Sequence, residues 1–283
     1  MAARPAPRRG GSDLGARIVV ALIAAPIAIF CVWKGDELFA LLLAILGVIA
    51  LGELYNLMGR VRPPALAGFL TLIALILAAL YGEQRHVIMV LVAAFPVTFF
   101  LALARPHRQN VSWAIAATLF GVVWIGLPMV HAIWLRDLSI TQDGDTIRTG
   151  MGLVLDVLIA TFVGDSCAYF VGRAYGRTRL APLISPNKTL EGLAGGVLGG
   201  TLAFWCAGLY QDWLTGADAV LIGFLVALTA PIGDLFESMI KRDLDVKDTG
   251  GLFGAHGGVL DRLDAVFFTI PVAYYAAVAL GYA

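Results

Sequence analysis

The chain has 283 residues, 59% of them hydrophobic and only 14% charged, with 20 basic and 20 acidic side chains and zero formal net charge. A soluble domain carries roughly 25% charged residues, and the mean hydropathy here is +0.84. The composition excludes an ordinary soluble fold and indicates an integral membrane protein.

The first residues, MAARPAPRRGG, are basic and rich in Pro and Gly. They read as a disordered cytosolic tail over 1–16. A cleaved signal peptide fits less well, because the apolar run after Arg17 is long and no A-x-A-like site leads into a polar chain. A helix crosses a bilayer with about 20 apolar residues. Windows of that kind fall at 17–33, 38–58, 66–82, 87–104, 112–135, 151–172, 192–210, 218–238 and 264–282. The fold class expected is therefore all-α, a polytopic membrane protein of about nine transmembrane helices. With the N-terminus in the cytosol, only Lys34, Arg85, Arg136 and Arg148 of the 20 basic residues fall outside. Such a bias is the positive-inside signature, and it predicts a cytosolic N-terminus.

Residues 17–135 form a first group of transmembrane helices nearly free of ionisable groups. The loop 136–149, "RDLSITQDGDTIRT", is the longest extracytoplasmic segment and marks a boundary. In the C-terminal transmembrane region, 150–283, acids enter the membrane: Asp156, Asp165, Glu191, Asp234, Glu237 and Asp264. Each costs about 2.5–3.5 kcal/mol on insertion scales, less near a helix end, so each is a functional candidate. Cys31, Cys167 and Cys206 are far apart within apolar runs and read as small core residues, with neither disulfide nor zinc site.

Three segments carry the chemistry. In "APIGDLFESMIKRD", Asp234, Glu237 and Lys241 share one helical face, with Ser238 one step round. Pro231 and Gly233 just before them are expected to break or kink the helix. In "AHGGVLDRLDA", Gly257 and Gly258 permit a tight loop whose N–H groups face phosphate. Asp261 and Asp264 follow at i, i+3, a spacing that lets two carboxylates share a hard cation. The blander alternatives are a snorkelling Glu–Lys pair and acids that merely complement a helix dipole. Upstream, "GDSCAYFVGR" puts Asp165, Tyr169 and Gly172 on one face, and "SPNKTLEG" reads as a turn opening a helix that Thr189 caps. Arg173, Arg177, Arg179 and Lys188 gather between them, either for topology or for anionic ligands. Carboxylates, cations and Gly loops on one cytosolic face are the equipment of phosphoryl or nucleotidyl transfer. A cation-coupled transporter would use the membrane acids but not the charged HGG loop. No Walker A, G-x-G-x-x-G or zinc motif is present.

The string "SMIKRDLDVKDTGGLFGAHGGVLDRLDA", Ser238 to Ala265, resembles the signature of the CDP-diacylglycerol synthases, the phosphatidate cytidylyltransferases. Ser238, Lys241, Arg242, Lys247, Asp248, His256, Gly257, Gly258, Asp261, Arg262 and Asp264 fill the pattern in order. "GDSCAYFVGR" and "ISPNKTLEG" resemble the same family's second block. Two departures are Gly254-Ala255, where the family usually has Pro-Gly before the histidine, and Leu190, where Trp is common. The resemblance implies CTP + phosphatidate → CDP-diacylglycerol + pyrophosphate, a nucleotidyltransferase of phospholipid biosynthesis in the cytoplasmic (inner) membrane with its site facing the cytosol. It further implies a Mg²⁺-dependent centre, with K⁺ as a second ion, at Asp234, Asp261 and Asp264, with Glu237 and Asp165 next in line. Lys241, Arg262 and His256 join the catalytic set. Lys188, Arg242 and Lys247 hold phosphates, and Arg173, Ser185, Thr189, Ser238, Asp248, Gly257 and Gly258 complete the substrate contacts. The implied partners are CTP, membrane phosphatidate and a second copy in a homodimer, with no nucleic acid. A CTP-dependent polyprenol or phytol kinase is the related alternative.

Overall fold

The computed structural model describes residues 24–105, 109–142, 144–246, 249 and 258–283. The expected tail over 1–16 lies outside them. The helices are α1 (Ala24–Lys34), α2 (Asp36–Leu57), α3 (Ala65–Tyr81), α4 (Gln84–Leu103) and α5 (Val111–Arg136), then α6 (Gly150–Tyr175), α7 (Leu190–Gly208), α8 (Gly216–Asp243) and α9 (Leu260–Ala279). Seven of these are long and apolar enough to cross a membrane; α1 and α3 are shorter apolar helices at the first and third predicted windows. The all-α expectation holds for an integral membrane protein. Among the described residues the strands form two small antiparallel hairpins, β1 (Ser139–Gln142) with β2 (Asp145–Arg148) and β3 (Arg179–Ala181) with β4 (Ser185–Thr189).

The first hairpin occupies the predicted loop 136–149. Its neighbour Arg136 is buried and turns back to the end of α1, where its Nε donates to Val32 O at 2.5 Å and an Nη to Trp33 O at 3.1 Å. Gly35 accepts this approach with a positive φ of 69°, and a Cβ there would press on the guanidinium. A π-helical turn at Val122–Gly126 inside α5 resets the helix face as it enters the core of α2, α3 and α9.

The C-terminal half is assembled by small residues. On α7, Gly192, Gly196 and Gly200 recur every fourth residue and lie against Ala160, Gly164, Ala168 and Gly172 of α6. A Cβ at Gly192 would stand 2.8 Å from Ala168 O, and one at Gly200 would stand 2.8 Å from Ala227 Cβ on α8. Lipid supplies no hydrophobic drive for helix pairing, so close backbone approach and dispersion hold these helices together. Cys206, expected in the core, is exposed on α7, on a surface that is apolar for lipid; Cys31 is buried as expected.

α8 differs from its prediction. It runs unbroken from Gly216 to Asp243 through Pro231, so neither Pro231 nor Gly233 breaks it. Its end extends past the predicted 238, which places Lys241 and Arg242 on the helix itself. Gly233 serves close packing instead: a Cβ there would collide with Asp264 O and lie 2.9 Å from Ala265 Cα. Gly233→Ala is therefore expected to part α8 from α9, lowering thermal stability in detergent by about 1–3 kcal/mol. A melting curve unchanged from wild type would show that the two helices do not depend on this contact.

Candidate active site

Of the charged residues predicted from sequence, Lys188, Asp234, Glu237, Lys241 and Asp261 converge where α8, α9 and the β3–β4 hairpin meet. Lys188, on β4, reaches Asp234 of α8 with Nζ 2.5 Å from Oδ2. Two turns on, Lys241 Nζ lies 3.0 Å from Glu237 Oε2 and 3.0 Å from Asp261 Oδ1, bridging α8 to the first turn of α9. The i, i+3, i+7 spacing of Asp234, Glu237 and Lys241 does put all three toward α9. Ser238 donates to Asp234 Oδ1 at 3.4 Å. Asp264 follows on α9, where the helix is interrupted at 264–265 and its carboxylate accepts the Ala265 N–H at 2.7 Å. Asp165, exposed on α6, lies in the electrostatic field of Asp264, Asp234 and Lys188.

Asp261 is the most heavily engaged carboxylate. It accepts the backbone N–H of Gly258 at 2.7 Å and that of Thr249 at 3.1 Å, besides the ammonium of Lys241. It therefore closes both ends of the glycine-rich connection between α8 and α9. Glu237 is 1% exposed, and its Oε1 has no hydrogen-bond partner among the described residues. A buried carboxylate oxygen without a donor is costly.

The hairpin is held in register with the helices by local chemistry. Thr189 caps α7 as expected, its Oγ1 accepting the Gly192 N–H at 3.1 Å. Glu191 accepts the N–H groups of Arg177 and Thr178. Arg242 Nε donates to Ile184 O at 3.2 Å, tying the end of α8 to the hairpin tip. The predicted "turn" over 185–189 is thus a strand, with Ser185 paired to Ala181 and Thr189 to Arg179. Arg173 is not brought into the cluster by any of these contacts; it is exposed and donates to Tyr169 Oη one helical turn back. Arg262 is exposed on α9. Lys247, Asp248, His256 and Gly257 lie outside the described residues, as does the Gly254-Ala255 departure.

One site residue was not expected from sequence. Glu53, near the end of α2 and only 8% exposed, accepts the N–H of Val259 at 3.1 Å and of Leu260 at 2.9 Å. These are unpaired donors at the start of α9, the positive end of its dipole. A Cβ on Gly258 would run into both the Glu53 carboxylate and Thr249 Oγ1, so glycine is required beside the cap. Glu53 carries a signal that could have found it: it is the one acid between residues 38 and 82, within an apolar helix.

Five carboxylates, Asp165, Asp234, Glu237, Asp261 and Asp264, thus face two lysines, Lys188 and Lys241. Among the described residues no three acidic, His or Cys groups converge at metal-ligand spacing. Among the described residues the donor set is nonetheless all oxygen and in excess of its cations, and Glu237 Oε1 lacks a donor. That chemistry suits a hard cation.

A helical membrane protein with a polar, carboxylate-rich cluster where α8 meets α9 is the class these features define. The model of the cytidylyltransferase family matches residues 15–280, and the chain belongs to that family. A phosphatidate cytidylyltransferase of Bacillus subtilis (strain 168) is 30% identical over 272 residues, covering 93% of this chain and 97% of the relative. That of Thermotoga maritima is 32% identical over 281 residues, covering 93% and 95%. That of a Synechocystis sp. strain is 31% identical over 298 residues, covering 93% and 96%.

Proposed function

We propose that this chain is a phosphatidate cytidylyltransferase, joining CTP to phosphatidate with release of pyrophosphate. The observation that carries the reading is the Lys188–Asp234 and Glu237–Lys241–Asp261 cluster, assembled from the very segments that match the family. The phosphatidate phosphate is already anionic, so attack on the α-phosphorus of CTP needs no general base. Alignment and neutralisation of charge are enough. The new P–O bond forms as the α–β phosphoanhydride breaks, and the electron pair leaves with pyrophosphate.

The chain's own residues supply most of this. Lys188 and Lys241 are cations paired with different carboxylates of the cluster, able to exchange a carboxylate partner for a phosphate oxygen. The Gly258 and Thr249 N–H groups fix Asp261, and Ser238 steadies Asp234. Asp234, Asp261 and Asp264, with Glu237 and Asp165 beside them, would hold Mg²⁺, with K⁺ as a second ion. A divalent cation would offset charge on the triphosphate and on these acids together. Lys247 and His256 complete the phosphate contacts in this reading.

The distribution of Lys and Arg supports a cytosolic N-terminus and nine spans, and hence a site open to cytosolic CTP at the inner membrane face. Phosphatidate would enter sideways, its headgroup in the cleft and its acyl chains in lipid. A homodimer is part of the same reading. Purified protein in detergent, given labelled CTP, phosphatidate and Mg²⁺, should form CDP-diacylglycerol. Folded protein that forms none above background would end the proposal, and transfer of only the γ-phosphate to a polyprenol would identify a kinase instead. Lys188→Met is expected to raise KM for CTP and cut kcat/KM by on the order of 10²-fold; an unchanged kcat/KM would remove Lys188 from the phosphate contacts.

A further inference from the structure

The catalytic cluster leaves a second polar feature unused. Beyond the end of α2, a cavity of about 420 Å³ is lined by Arg60, Arg62, Arg105, Gln109 and Asn110, with a floor that includes Ala102 and Ala114. Three arginines from two loops remote in sequence line it. Arg105, just past α4, donates to the carbonyls of Arg62 and Pro63, at 2.5 and 3.1 Å, and so fixes the two loops against each other. Arg62 holds a left-handed backbone, φ 51°, in that tight turn. Neither Arg60 nor Arg62 pairs with a carboxylate among the described residues. No Asp or Glu occurs anywhere between 54 and 82 or between 84 and 136.

Topology bias alone requires basic residues on one side, not their convergence on one cavity. The position is also specific. Because Glu53 of α2 caps the start of α9, the loop that follows α2 emerges at the same end of the helix bundle as the catalytic cluster. α3 leads away and α4 returns, which brings Arg105 and the start of α5 to that end as well. The cavity therefore sits where helices leave the bilayer, with Trp113 exposed on the first turn of α5 as an interfacial side chain. Among the described residues that line it there is no aromatic ring. Guanidinium forks match phosphate oxygens two at a time.

We propose that this cavity binds the phosphate headgroup of an anionic membrane lipid, with Arg60 and Arg62 as its ligands and Arg105 as the strut that holds them. The lipid's glycerol would rest on Ala102 and Ala114 while its chains stay among the helices. The cavity shares no residue with the catalytic cluster, so the proposal stands apart from the activity.

Full-length protein in detergent can be incubated with phosphatidylglycerol or phosphatidylcholine and read by native mass spectrometry. Phosphatidylglycerol is chosen because it is not a substrate of the proposed reaction, so loss of that reading leaves this test intact. Wild type should retain one phosphatidylglycerol beyond the number of phosphatidylcholines. Arg60→Gln/Arg62→Gln should weaken that retention at least about tenfold, at an unchanged melting temperature. Arg60→Lys/Arg62→Lys, which keeps the charge but not the fork, should fall between the two and guards against misfolding of the first variant. Equal retention in all three proteins would overturn the proposal. Complete release of the lipid from wild type by millimolar inorganic phosphate, with the residual lipid of the double glutamine variant unaffected, would reassign the cavity to free phosphate.

Discussion

Asp261→Asn should reduce CDP-diacylglycerol formation by on the order of 10³-fold while leaving the protein in the membrane. The size of the effect follows from what this one carboxylate does. It holds the Lys241 ammonium at 3.0 Å, and it accepts N–H groups from both ends of the connection between α8 and α9. An asparagine keeps one acceptor oxygen but adds an NH₂ that faces donors. It also leaves Lys241 with only Glu237, and it removes a charge from the set that would hold a cation. The loss should appear mainly in kcat, since interactions felt in the transition state are the ones removed. Titration with Mg²⁺ gives a second readout: the variant should need a higher concentration for its residual activity. Wild-type turnover in folded Asp261→Asn protein would remove Asp261 from the reaction.

Glu53→Ala is expected to act almost as strongly, from a helix that touches no substrate in this reading. The substitution strips two buried N–H groups at the start of α9 of their acceptor. Each is expected to cost about 1–3 kcal/mol, and the dipole of α9 loses its counter-charge. The first turn of α9 carries Asp261, so fraying there displaces the carboxylate that anchors the cleft. A fall in melting temperature together with a drop in kcat of on the order of 10²-fold is the expected pair of results. Glu53→Gln separates positioning from mere packing. It fills the same volume but presents one oxygen and one NH₂, so it should recover the stability largely and the activity only in part. Full activity in Glu53→Ala would show that α9 keeps its geometry without the cap.

The segments that make the cleft were legible because their charges are dear in a membrane. Asp234, Glu237 and Lys241 repeat at helical spacing inside apolar sequence, and the face they share is the one the structure turns toward Asp261. Thr189 was readable as a cap because a threonine before an acidic first turn has a local meaning. Less legible was anything set by a partner remote in the chain. Pro231 and Gly233 look like helix breakers in one dimension. In three, the helix passes through both, and Gly233 is there for the backbone of α9. The glycines of α7 have no meaning alone and become a ladder only opposite Ala160, Gly164 and Ala168. Glu53 stands out as a lone acid in an apolar helix, but its role does not. Its partners are two backbone N–H groups, and backbone donors leave no mark in the sequence. The β3–β4 strands were missed because so short a hairpin, SPNKT against RLA, carries no alternation to read.

The contact between Glu53 and α9 has a consequence for how the protein is made. Its two halves are 206 and 207 residues apart along the chain. At about 5–20 residues per second of synthesis, α2 is in the bilayer for roughly 10–40 s before the residues that satisfy its carboxylate leave the ribosome. Through that interval the early helices carry an acid with no permanent partner. The helix that relieves it is translated some 206 residues later, so assembly around α2 waits for the arrival of α9. A chain that stalls before residue 258 would leave Glu53 without the two N–H groups that it accepts in the folded protein.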